Sequence, residues 1–336
     1  MKSSRQIAFE VLMKIYKDNA YSNLAIDSKL LDKSLQDRDK AFVTALTYGV
    51  TERKITIDYI LSLYLKQPIK KLKPAVLTIL RMGTYQIFFM DKIPVSAAIN
   101  ESVELSKKNN CSFAGGLINA VLKKAAQDGI KLPDYNKDKI KYYSVKYSCP
   151  KELAGLWIDS YGEENAQGLM SSSIGAPPIV IRVNTLKTCK DELALTLEAA
   201  GISFEKCTDV PDALIIKKAG DIEKINAYKQ GLFHVQDTAS QLCCKAVGAV
   251  SDSSVIDMCA APGGKSFTIA QYMNNKGHLM CFDLYDHRTS LIKQGAQRLG
   301  ISIIKTEVRD ARIFESATDK ADRVLCDVPC SGFGII

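Results

Sequence analysis

The 336-residue sequence is short of the residues that mark several function classes. Its three histidines, His234, His278 and His287, lie too far apart in the chain to suggest a metal centre, and they read as structural. None of its ten cysteines forms a C-x-x-C pair. The N-terminus, MKSSRQIAFEVLMKIYKD, is amphipathic and lacks the unbroken apolar segment of a secretion signal. The cysteines therefore read as reduced thiols, not as a disulfide framework or a zinc site. No apolar run reaches the ~18 residues of a membrane span. What is left is a cytoplasmic protein of two or three domains, without membrane or metal and expected to be a monomer.

Acidic residues are scarce in one region. Residues 1–130 hold 20 Lys and Arg against 12 Asp and Glu, a net of +8, while residues 131–336 balance at 25 against 25. The whole positive excess thus sits in the first 130 residues, densest at Lys66, Lys70, Lys71 and Lys73, with Arg81 following. Two readings compete: a solvated face that aids solubility, or a surface that contacts phosphates.

Residues 1–130 read as an all-α bundle. Ile7, Val11, Leu12 and Ile15 recur at helical spacing, as do Phe42, Leu46 and Val50, and then Val76, Ile79, Leu80 and Phe88. Asp37 and Ser96 stand where N-caps are expected. Pro68, Pro74 and Pro94 sit at first helical turns, and Gly115-Gly116 opens a further helix. Residues 131–150 look like a polar linker, and a helix carrying Trp157 follows, so that 131–176 forms a connecting segment. A small α+β unit is expected over 177–245, with strands at 179–183 and 213–216 and a helix at 190–200. From 246 the pattern becomes strand, loop, helix, repeated, which predicts a Rossmann-like α/β domain with a parallel sheet.

Within that domain, Cys259-Ala-Ala-Pro-Gly-Gly-Lys-Ser266 ends as a phosphate-binding P-loop does, but Cys259 stands where that pattern needs its first glycine. Asp257, Asp283, Asp310 and Asp327 fall at or just after strand ends, where ligands of parallel sheets bind. Four carboxylates would repel a triphosphate. They suit a ligand with hydroxyls and a cation. Asp283 lies 20 residues after Gly263, the usual offset for a carboxylate on ribose hydroxyls. The helix N-terminus after Gly263 and Gly264 offers free N–H groups to a carboxylate. Ribose hydroxyls together with an amino-acid carboxylate describe S-adenosylmethionine. A dinucleotide would need G-x-G-x-x-G, which Ala-Pro-Gly-Gly is not.

Asp257-Met-Cys-Ala-Ala-Pro-Gly-Gly-Lys-Ser266 and Asp327-Val-Pro-Cys-Ser-Gly332 together resemble the Sun/NOL1/NOP2 family of RNA (cytosine-C5) methyltransferases. The basic N-terminal bundle resembles a NusB-type RNA-binding domain. That combination is most similar to family members acting on bacterial 16S rRNA, and the similarity runs over essentially the whole chain. It implies S-adenosylmethionine as methyl donor and small-subunit rRNA as partner. Cys259, Ala260, Ala261, Pro262, Gly263, Gly264 and Lys265 would wrap the methionine part. Asp283 would hold the ribose, Asp310 would lie by the adenine, and Asp327 would close the site near the methyl and the cytosine edge.

Carbon 5 of cytosine becomes nucleophilic when a thiolate adds to carbon 6, which is covalent catalysis by an activated cysteine on an extruded base. Read by itself, Cys330 beside Asp327 is the candidate nucleophile. The resemblance reassigns it: Cys330 would assist elimination, and the attacking cysteine would lie in a later Thr-Cys-type motif. No such motif occurs before Ile336. The α/β domain is therefore expected to be truncated after its fourth strand, and the chain alone to bind cofactor weakly without turnover. The alternative is an antitermination-like RNA-binding protein with a vestigial methyltransferase domain.

Overall fold

A computed structural model describes residues 3–18, 26, 35–175, 177–218, 221–313 and 320–328. The chain divides into two compact units, Met1–Ala176 and Pro177–Ile335.

In the first unit, helices α1 (Ser4–Asp18), α2 (Asp37–Glu52), α3 (Lys54–Ser62), α4 (Pro74–Phe89), α5 (Val95–Lys108) and α6 (Gly115–Asp128) form the bundle. Its core is the set of periodic positions: Leu12, Leu46, Val50, Ile79, Leu80 and Leu122 are fully buried. Pro74 is the first residue of α4, where its missing N–H costs nothing. Two expected caps are displaced. Asp37 is the first residue of α2 and makes no side-chain cap, and Ser96 lies inside the first turn of α5 after Pro94. Gln36 and Pro94 are the extended residues at these two ends, so Asp37 and Ser96 already carry helical backbone.

The basic cluster also divides. Lys66, Lys70, Lys71 and Lys73 are exposed. Arg81 is buried, and its guanidinium donates Nε and Nη2 to Asp58 at 2.7 Å each, so it belongs to the core and not to the basic face.

The expected polar linker contains a helix. Helix α7 (Lys139–Tyr147) is capped by Asp138, whose carboxylate accepts the Lys141 amide at 2.8 Å. It packs with α8 (Lys151–Tyr161) and α9 (Glu163–Ser172) around Tyr143, Cys149, Leu153 and Met170. Its tie to the bundle is Thr56, whose hydroxyl donates to the Val145 carbonyl at 2.5 Å. The run of tyrosines hid the helix because their rings pack on one another and on Glu163 instead of forming an apolar stripe.

The second unit holds two four-stranded sheets. In the first, β1 (Ile179–Val183) is flanked antiparallel by β3 (Ala213–Lys218) and β4 (Phe233–Val235), and β2 (Ser203–Lys206) pairs with β3. Helices α10 (Lys190–Ala199) and α11 (Asn226–Lys229) cover its core of Ile181, Val183, Leu193 and Phe233. Strands β2 and β4 are too short to show periodicity in the sequence.

Helix α12 (Thr238–Val247) leads into the second sheet. Its strands are β5 (Ser254–Asp257), β6 (His278–Asp283), β7 (Ile304–Val308) and β8 (Arg323–Leu325), ordered β7-β6-β5-β8 and all parallel. Helices α13 (Gly264–Tyr272) and α14 (Asp286–Leu299) make the crossovers. Strand β7 starts three residues later than the apolar run at Ile301 suggests. Asn275 Oδ1 accepts the amides of Ser302 and Ile303 at 2.9 and 3.4 Å, which holds that stretch as a loop. The free edge of β8 has no strand partner among the described residues, and Val324 on it is exposed.

A polar seam joins the two sheets. Arg182 of β1, 1% exposed, donates to Gln271, Gln241 and Asp212 at 3.0, 3.3 and 3.3 Å, and stacks on the Tyr272 ring at 4.8 Å. Asn184 donates to the Gly231 and Leu299 carbonyls, both at 2.8 Å. Burial drives the pKa of His234 down to about 3, so it sits neutral between Thr268 and the Phe267 ring.

Candidate functional site

The loop between β5 and α13 is held by backbone bonds to two neighbouring strands. The Met258 amide donates to Leu325 of β8 at 2.9 Å, and the Ala260 amide donates to Phe282 of β6 at 2.8 Å. Within the loop, the Gly263 amide donates to the Ala260 carbonyl at 2.7 Å, and the Ala261–Pro262 bond is cis. Gly263 has φ of +108°, and a Cβ there would lie 2.4 Å from the Phe267 ring, so only glycine fits. Gly264, the first residue of α13, meets nothing nearer than 3.9 Å at its Cβ position. The backbone is thus bare at a helix N-terminus, where N–H groups lack intrahelical partners.

Asp257 and Asp283 are the buried carboxylates of the site, 1% and 3% exposed. Asp257 accepts the Ser266 hydroxyl on Oδ2 at 2.6 Å, while its Oδ1 has no hydrogen-bond partner. Burial pushes its pKa up to about 6, tempered by the Ser266 hydroxyl. Asp283 accepts the Ala261 amide on Oδ2 at 3.2 Å. Its buried Oδ1 has no hydrogen-bond partner, with Arg288 Nη1 at 3.4 Å. Arg288 also donates to the Ala261 carbonyl at 3.0 Å, so acid and base brace the same loop residue.

A cleft of about 210 Å³ opens beside this loop. Of the residues expected from sequence, Cys259, Ala260, Ala261, Pro262, Gly264, Lys265 and Asp327 line it, together with Asp257. Lys265 Nζ donates to Asp327 Oδ2 at 2.6 Å across it. Gly263 shapes the turn from behind, and Asp283 reaches the loop through Ala261. Asp310 does not join the cleft. Arg312 grips it with Nε at 2.9 Å and Nη2 at 2.6 Å, which holds the carboxyl down at about 2. Cys330 lies outside the described residues.

Sequence reasoning missed one wall. Gln236, Asp237 and Ser240, at the start of α12, also line the cleft. Asp237 accepts the Ser240 amide at 2.7 Å as a helix cap. The cap was readable from Asp-Thr-Ala-Ser. Its position was not, since nothing local aims that helix end at a loop some twenty residues further along.

The thiols around the site are not prepared as nucleophiles. Burial pushes Cys244 and Cys281 up to about 12 each, and raises Cys259 as well. Toward S-adenosylmethionine the other residues fit. A buried carboxylate oxygen without a donor stands at the end of β6, suited to ribose hydroxyls, and the bare Gly264 backbone opens a helix start to a carboxylate.

Three family models match the chain: the NusB family over residues 2–127, the RsmF/B-like ferredoxin-like domain over 149–223, and the 16S rRNA methyltransferase RsmB/F over 245–336. A probable ribosomal RNA small subunit methyltransferase B of Bacillus subtilis is 38% identical over 338 residues, 99% of this chain and 75% of that protein. A protein of the same description from Synechocystis is 31% identical, covering 100% of this chain and 76% of its own. The crystal structure of PH0851 superposes with a TM-score of 0.73 at 23% identity, over 99% of this chain and 76% of that one. No helix among the described residues is long and apolar enough to cross a membrane. With a NusB-like bundle, a ferredoxin-like middle and a methyltransferase sheet in this order, the chain belongs to the RsmB/F family of ribosomal RNA small subunit methyltransferases.

Proposed function

We propose that this chain carries the RNA-gripping and cofactor-binding parts of a cytoplasmic enzyme that methylates carbon 5 of a cytosine in 16S rRNA. The observation that carries the reading is the cleft beside the Cys259–Lys265 loop, in which Asp327 and Lys265 meet at 2.6 Å next to a bare helix N-terminus. S-adenosylmethionine, when bound, supplies an activated methyl group. Asp283 would accept the ribose hydroxyls on its free Oδ1. The α13 amides would take the amino-acid carboxylate. Asp310, once released from Arg312, would lie by the adenine. Asp327 would accept from the amino edge of the cytosine, and Lys265 holds that carboxylate in place. Cys330 would assist release of the product. The raised thiols of Cys244, Cys259 and Cys281 support placing the nucleophile elsewhere.

The bundle match over 2–127 also suits an antitermination-like RNA-binding protein with a vestigial methyltransferase domain. The fitted cofactor cleft favours the enzyme. The test is release of tritium from 5-tritiated cytidine in 16S rRNA incubated with this protein and S-adenosylmethionine. Release in step with methyl incorporation is expected. Methyl incorporation without tritium release would sink the carbon-5 assignment. Cofactor binding with no incorporation at all would favour the vestigial reading.

A further inference from the structure

A second cavity, of about 490 Å³, lies in the same unit on the other side of the cofactor loop. Glu223 and Tyr228 line it from the ferredoxin-like part, Leu291, Gln294 and Arg298 from α14, and Pro262 from the loop itself. It shares Val235, Pro262 and Gly264 with the cofactor cleft, so the two spaces are neighbours separated by one turn of chain. Its volume falls in the range of about 300–1,000 Å³ typical of small-molecule sites.

We propose that this groove is a nucleoside pocket that takes the base next to the target cytosine and reads its amino edge. The proposal rests on the RNA-substrate reading above and locates a part of the substrate which that reading leaves open.

Four features of the wall point to a base. The Arg298 guanidinium carbon sits over the Tyr228 ring, 3.8 Å from its centroid, and Nη1 donates to the Tyr228 and Phe233 carbonyls at 2.7 and 3.0 Å. A fixed guanidinium–aromatic stack is the kind of planar surface on which splayed RNA bases settle. The Glu223 carboxylate and the Gln294 amide are both exposed and make no side-chain hydrogen bond among the described residues. A carboxylate only accepts, so it favours an exocyclic amino group over the N3–H of uracil, which lies between two carbonyl oxygens that repel a carboxylate, whereas the amide both donates and accepts. His234, 3% exposed, lines the same wall with a buried Nδ1 that has no hydrogen-bond partner. Finally, Leu291 and Val235 offer exposed apolar surface at the rim, 47% and 50% accessible. Cytosine, adenine and guanine carry an amino group for Glu223. Uracil carries none.

The experiment measures binding of the chain to short RNAs with one unpaired cytosine, varying the base on each side through all four, beside calorimetric binding of S-adenosylhomocysteine. Glu223→Gln and Leu291→Trp are the variants. Both sites are exposed, so both proteins should fold. The native chain is expected to bind RNAs with an amino-bearing base on one side about tenfold tighter than those with uracil, the scale of one charged hydrogen bond. Glu223→Gln should flatten this preference to within about twofold, and Leu291→Trp, which fills the groove, should weaken all four RNAs about tenfold or more. Cofactor affinity should not move in either variant. RNA binding with preferences that both variants leave untouched overturns the groove and spares the RNA reading. Uniform binding of all four bases by the native chain overturns the groove too. Cofactor binding with no RNA affinity overturns both.

Discussion

Asp257 and Ser266 close a bridge beneath the cofactor loop: the Ser266 hydroxyl donates to the Asp257 carboxylate at 2.6 Å, linking the last residue of β5 to the first turn of α13. The carboxylate is buried, and its pKa rises from 3.8 to about 6. Because the folded state holds this proton more tightly than the unfolded state does, the group's stabilisation is complete below the ordinary carboxylate range. It is lost as pH climbs through about 6. The difference amounts to roughly 2.5 kcal/mol between pH 4 and pH 7. Asp257→Asn can still accept from Ser266 and cannot ionise. Urea unfolding across that window should show the native chain losing stability relative to the variant as pH rises. Parallel curves would refute the assignment.

Asp283 serves two ends at once. One oxygen accepts the Ala261 amide, and the other has no hydrogen-bond partner and faces Arg288 Nη1 at 3.4 Å. Asp283→Ala should weaken S-adenosylhomocysteine binding by about 1.5–3 kcal/mol, the value of hydrogen bonds to a charged group. Arg288→Ala, which removes the brace on the Ala261 carbonyl and the ion pair with Asp283 but leaves the carboxylate itself, should weaken it less. Calorimetric titration separates the two. Equal losses would mean that Asp283 acts only by holding the loop.

Gly263 and Gly264 predict opposite behaviours one residue apart. Gly263→Ala places a methyl 2.4 Å from the Phe267 ring at positive φ and should cost about 1–3 kcal/mol in unfolding free energy. Gly264→Ala has room in the fold, and an alanine in a helix gains about 0.5–1 kcal/mol over glycine. Its methyl faces the cleft, so cofactor binding should fall while stability holds or rises. Paired melting and titration curves check both, and a stable Gly264→Ala with native affinity would show that the cofactor does not approach α13.

Arg182 fastens the ferredoxin-like sheet to the methyltransferase sheet. Arg182→Ala strands Gln241 and Gln271 and opens a cavity, with an expected loss of about 3 kcal/mol. Arg182→Met keeps the volume and should lose less. Urea unfolding of both variants, followed by circular dichroism, checks the order, and equal losses in the two would mean that the lost volume matters no more than the lost hydrogen bonds.

The sequence by itself determined the order of architectures, because periodicity of apolar residues depends on local geometry alone: 3.6 for the bundle, alternation of strand and helix for the parallel sheet. It also determined the cofactor loop, since Pro262, Gly263 and Gly264 impose a turn that few other residues allow. Tertiary structure decided the rest. It buried Arg81 against Asp58, which charge counting had placed with the basic face. It made a helix of residues 139–147 through contacts with Thr56 and Glu163, distant in the chain. It brought Asp237 and Ser240 to the cleft beside Lys265. These are pairings across long separations, where the free energy comes from desolvation and hydrogen bonding between segments, and no local pattern records which segments will meet.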